Sequence, residues 1–153
     1  MARDPLSDAW GIVSGRRGDV ATLKQHTPER NMLYLDKAWG ALQSLTSPSV
    51  PGRPRREAFH IFEGDVTLLG DGAMHGASWD PWVRAVTPEK TATVADDLLR
   101  ITAAQAMVQL LRWFEGRQKP EIEAQYVVGH LKRAQQFMTG LREEQRGMVY
   151  MIG

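Results

Sequence analysis

The sequence predicts a single α+β domain, in which a small mixed β-sheet of about four strands packs against several helices. Three observations carry that expectation. Short apolar or alternating runs recur at 33–35, 58–62, 66–69 and 82–86, Thr87-Pro88-Glu89 opens a helical stretch, and a long helical pattern after Pro120 runs into the uncharged segment Met148 to Ile152. The 153 residues suit one domain spanning 1–153, and a chain of this length buries roughly two-thirds of its unfolded surface without covalent staples.

The segment 1–31 is polar and weakly patterned, its best signal being Asp19 ahead of a short helix through Val20, Leu23 and Lys24. Leu33 to Leu35 alternates as a short strand, and after Asp36 the positions Ala38, Trp39, Leu42 and Leu45 fall on one helical face. Asp36 is expected to cap that helix and Trp39 to fill the core. Residues 47–56 form an exposed loop rich in proline and arginine, because each proline removes a backbone donor and restricts the residue before it.

Ala58 to Phe62 and Val66 to Leu69, separated by Glu63-Gly64-Asp65, read as a hairpin, and Trp82 to Val86 adds a strand. Thr87 then supplies a capping oxygen, Pro88 sits where a missing N–H costs nothing, and Glu89 faces the positive helix end. That helix is expected to bury Thr91, Val94, Ala95 and Leu98. Thr102 to Gln105 has the form of a capping box that starts a second helix, ending near Gly116, with Met107, Val108, Leu111 and Phe114 inward. From Pro120 a long third helix places Val127, Leu131, Ala134, Met138 and Leu141 on one face and turns Lys132, Arg133, Arg142 and Glu143 outward. Gly129 and Gly140 weaken it, so they mark close packing or a kink. Gly147 closes it, and Met148 to Ile152 suits a sheet interior.

The run Leu35-Asp36-Lys37-Ala38-Trp39 followed by Leu42, then Val86-Thr87-Pro88-Glu89, then a C-terminal Gly-Met-Val-Tyr-Met-Ile strand, resembles the YfbM-like family of small bacterial proteins of unknown function. The likeness spans residues 32–153. It implies an α+β domain with helices against a small mixed sheet and brings no catalytic residues with it. Family members usually open with an apolar strand and a longer helical stretch, where this chain has Met-Ala-Arg-Asp-Pro.

Composition narrows the functional classes. There is no cysteine, which removes disulfides, thiolate nucleophiles and sulfur-ligated zinc. Nineteen Lys and Arg against eighteen Asp and Glu leave a net charge of +1, so no bulk field draws the chain to nucleic acid or an acidic membrane. Neither a signal-peptide-like opening nor a membrane-length apolar run is present, and a cytoplasmic protein is expected.

Several side chains are candidates for chemistry. Asp36 and Lys37 set a charge pair at a helix start. His60 and Glu63 carry acid, base or metal-compatible groups, which His75 and Asp80 join if the hairpin folds over the next loop; on a strand, however, positions 60 and 63 face opposite ways. No metal and no cofactor is therefore expected. Trp79, Asp80, Trp82 and Arg84 cluster on one short segment, where indoles supply contact area and Arg84 an anion partner, unless Asp80-Pro81 merely makes a turn. Gly70 to Gly76 lacks dinucleotide-binding spacing, and Arg53, Arg55 and Arg56 form a small basic spot.

These readings favour a non-enzymatic module that contacts another protein, of the immunity or inhibitor kind, through loops 79–84 and 53–56. The alternative is a small-molecule binder or small enzyme with a cleft between hairpin 58–69 and loop 70–86, His60 acting as acid or base. The terminal strand fits a sheet interior or an edge that pairs with a second copy, so a homodimer stays open.

Overall fold

The computed structural model describes residues 29–47, 52–63, 66–67 and 82–152. In chain order these form α1 (Trp39–Thr46), α2 (His60–Glu63), β1 (Val66–Thr67), β2 (Trp82–Val86), α3 (Pro88–Leu99), α4 (Ala103–Trp113), α5 (Pro120–Glu143) and β3 (Met148–Ile152). Short 3-10 turns at Glu29–Asn31, Asp36–Ala38 and Glu57–Phe59 precede or extend the helices.

Helices dominate, and the expected four-strand mixed sheet is not formed. Among the described residues the sheet has three strands in the order β1-β2-β3, all antiparallel. Leu33 to Leu35 is irregular chain whose two leucines lean on the core without pairing. Ala58 to Phe62, expected as the first hairpin strand, is a 3-10 turn running into α2, and β1 pairs with β2 instead. The terminal strand β3 pairs with β2 from Met148↔Val86 to Ile152↔Trp82, which places it at an edge and β2 at the centre.

The expectations for α3 and α5 and for the starts of α3 and α4 are confirmed. Thr87 accepts from the Lys90 N–H at 3.3 Å, and α3 buries Thr91, Val94, Ala95 and Leu98. Thr102 and Gln105 exchange both bonds of a capping box, at 3.2 and 3.1 Å, where α4 begins. At the end of α4 Phe114 is buried, and on the helix Met107 and Leu111 pack half-buried against the core as expected, but Val108 lies exposed and Ala106 and Leu110 are the fully enclosed pair. Helix α5 buries Val127, Leu131, Ala134, Met138 and Leu141 as the spacing required, together with Ala124, Val128 and His130.

The core sits where α5 crosses α3 and α4, with Ala38, Leu42 and Leu45 closing one side and Ala58 and Ile61 another. Polar groups fasten these layers. Gln135 on α5 donates to the carbonyls of Leu98 (3.0 Å), which also accepts from the Ile101 N–H, and Ile101 (2.9 Å), tying α5 to the end of α3. Asp97 on α3 accepts from the Ala58 N–H at 2.9 Å and from Arg56, so a distant carboxylate starts the 57–63 turn. Its pKa is drawn upward by burial, but the Ala58 N–H and the Arg56 guanidinium outweigh that and hold it below the usual carboxylate value.

Gly129 and Gly140 do not mark close packing, because a Cβ at either would meet nothing within 4 Å. Gly147 does. There a Cβ would stand 2.5 Å from the Val86 carbonyl oxygen and 3.2 Å from the Pro88 ring, where the end of β2, the start of α3 and the entry to β3 converge.

Candidate functional site

Asp36 is the residue around which the most unusual local structure gathers. The chain runs irregularly through 32–35, Leu35 already having helical backbone angles, and enters α1 through a turn closed by the Ala38 N–H donating to the Leu35 carbonyl at 2.9 Å. Asp36 takes φ = +46° to do so. Aspartate and asparagine are the side-chain-bearing residues that enter this left-handed region at least cost. The expected capping role is not seen, since neither Leu35 nor Ala38, the residues preceding the two turns, has a side-chain cap, and the Asp36 carboxylate is occupied elsewhere.

It accepts from two tyrosines. Tyr126 on α5 donates its hydroxyl to Oδ2 at 2.7 Å, and Tyr34 donates to Oδ1 at 3.3 Å. The bond from Tyr126, helped by Tyr34, Lys37 and His130, outweighs an opposing effect of desolvation and lowers the Asp36 pKa. The same bond raises the Tyr126 pKa, although the Lys37 N–H also reaches its phenolic oxygen. Beneath Tyr126 lies His130, one helical turn on, with the two rings edge to face at 4.7 Å and 68°. His130 is only 6% exposed and its Nδ1 has no hydrogen-bond partner. Burial, reinforced by Arg133, lowers its pKa, while Asp36 and the Tyr34 backbone pull the other way. The ring is therefore held neutral beneath a charged carboxylate.

The two tyrosines on this carboxylate, and large side chains one helical turn from Asp36 or Tyr126 in sequence, stay in solvent. Tyr34 is 53% exposed, Tyr126 43%, Ile122 60%, and Trp39, expected in the core, 39%. Ile122 precedes Tyr126 by four residues and so shares its face of α5. Trp39 follows Asp36 by one turn, at the start of α1. Lys37 is exposed beside them. The patch thus combines one ionised carboxylate, two oriented phenols, an indole and an aliphatic side chain.

The other expected candidates are not gathered in this way. His60 begins α2 and Glu63 ends it, so the two belong to one helical turn and not to a strand. His75, Trp79 and Asp80 lie outside the described residues, as does the expected loop 70–81; Trp82 and Arg84 stand in β2 opposite Ile152 and Tyr150 of β3. The cleft expected against hairpin 58–69 loses one wall, because that hairpin is not formed. Arg55 stacks over the Phe59 ring at 4.2 Å and Arg56 is bound to Asp97, so two arginines of the basic spot fasten the fold.

A groove of about 350 Å³ is lined by Leu45, Arg56, Arg100, Ile101, Gln105 and Gln109. Its Arg56 is committed to Asp97 and its Gln105 to the capping box. Among the described residues no group of three or more His, Asp or Glu stands together as a metal site, and no helix is long and apolar enough to cross a membrane. No family model, no curated protein and no solved structure matches the chain.

Proposed function

We propose that this chain is a cytoplasmic, non-enzymatic protein-interaction module, and that the surface around Asp36 is where it meets its partner. One observation carries the reading: Tyr34 and Tyr126 remain exposed while bonded to one carboxylate, and Trp39 and Ile122, one turn from Asp36 and from Tyr126 along their helices, are exposed as well. Tyrosine and tryptophan are the side chains that anchor interfaces, giving large contact area at small entropic cost. Phenols tethered to Asp36 before a partner arrives lose still less freedom on binding. The resemblance to the YfbM-like family belongs to the same reading and rests on the Leu35-to-Trp39 run.

The test is comparative capture from extract of the native cell, with the full chain, Ile122→Glu and the remote surface variant Arg112→Glu as baits. A protein retained by the full chain and by Arg112→Glu but lost with Ile122→Glu supports the reading. An identical set of proteins on all three baits overturns it.

A further inference from the structure

Among the described residues, two groups bond to the carboxylate at the centre of this surface. An ionised carboxylate offers about four acceptor positions, and the Asp36 side chain receives one bond on each oxygen, both from tyrosine hydroxyls. Asp36 itself is exposed, and among the described residues no lysine or arginine forms an ion pair with it. Two exposed aromatic rings and an exposed carboxylate make a receptor for a flat cation. A guanidinium matches it better than an ammonium, because its fork bonds both carboxylate oxygens at once and its plane stacks on aromatic faces.

We propose that this patch receives an arginine side chain of the partner protein, the guanidinium bonded to the Asp36 carboxylate and packed against the Tyr34 and Tyr126 rings. The assignment rests on the interaction reading above and names the chemistry of the partner at that surface. Charges facing the patch limit it further. Lys37 flanks Asp36, Arg133 lies two helical turns beyond Tyr126 on α5, and both are exposed. The surface is therefore not acidic as a whole and would repel a run of basic residues. It suits one arginine set among apolar side chains, and Ile122 and Trp39, both exposed, lie within one helical turn of Tyr126 and Asp36 along their helices.

Asp36→Asn isolates the charge. Asparagine tolerates the left-handed backbone as aspartate does, and its amide oxygen still accepts from Tyr126, so the fold is retained while the anion is lost. The experiment is an amide-resolved NMR titration of the full chain with the peptide Ac-Leu-Arg-Leu-NH2, and with its neutral counterpart in which citrulline replaces arginine. The arginine peptide is expected to shift the amides of residues 34–37 and 126, with binding at least tenfold weaker for the citrulline peptide and at least tenfold weaker to Asp36→Asn. Equal binding of the two peptides, no effect of Asp36→Asn, or no shift at these amides overturns the assignment. The wider reading fails separately. If Ile122→Glu abolishes partner capture while Asp36→Asn leaves it intact, the interaction surface stands and the arginine does not; if neither variant alters capture, the surface itself is not the contact.

Discussion

Replacing Asp97 by alanine strips two partners from one turn, the Ala58 N–H and the Arg56 guanidinium. Hydrogen bonds to a charged group typically contribute about 1.5–3 kcal/mol, and urea denaturation at pH 7 should show a loss within that range. Because the folded-state pKa of Asp97 is depressed, its contribution is complete above the ordinary carboxylate value of 3.8 and fades as pH falls through the lower folded value. The gap between wild type and Asp97→Ala should therefore narrow in strong acid. His130 works in the same direction for a different reason. Kept neutral by burial, it binds its proton less readily folded than unfolded, so stability declines as pH drops below 6.5. His130→Phe should flatten that part of a melting-temperature profile, and an unchanged slope would show that another group titrates. Neither residue was evident as a functional or structural partner in the sequence. His130 carried one usable signal, since it lies three residues after Val127 and four before Ala134, on the buried face of α5. Asp97 carried none, because its partners are 39 and 41 positions away. Asp36 was visible as a charge at a turn, but Tyr126, 90 positions on, was not.

Among the elements, helices with local start signals were legible and those started by a distant group were not. Thr87-Pro88-Glu89 and Thr102 to Gln105 contain their own caps, so their helices begin where the sequence says. Ala58 to Phe62 is rich in aromatic and aliphatic residues and reads as a strand, yet Asp97 supplies the acceptor that starts a helical turn there, and Glu57 pairs with Lys90 at 2.6 Å beside it. Tertiary contact overrides propensity in so short a segment. Val108 failed for a related reason. The spacing of α4 alone admits two neighbouring faces, and contact with α5 and α1 selects the one through Ala106 and Leu110. The glycines give paired expectations. Gly147→Ala drives a Cβ against the Val86 carbonyl and should cost about 1–3 kcal/mol as β2, β3 and the start of α3 are forced apart. Gly140→Ala meets nothing and should stabilise the long helix by about 0.5–1 kcal/mol. Thermal unfolding of the two variants checks both signs.

At the scale of the whole molecule, the helices carry the core and the sheet joins their ends. Val86 at the end of β2 is buried, and Met148 at the start of β3 packs half-buried against the helical core. The four-strand sheet was the wrong inference because two of its apolar runs, 33–35 and 58–62, are irregular chain and helical turn, while 82–86 and 148–152 are strands and the run expected over 66–69 is strand at 66–67. The register Val86↔Met148 has a kinetic consequence. Pairing β2 with β3 closes a loop containing all of α3, α4 and α5, and the entropy lost in closing a loop depends on how compact its interior already is. Contacts among three consecutive helices are local and form early, drawing Val86 and Met148 together before any strand bond exists. The ladder is then a late clasp. In native-state hydrogen exchange, the β3 amides bonded to β2 should open through fluctuations smaller than those needed to release Leu131 and Met138, and a strand as protected as α5 would reverse that order of assembly.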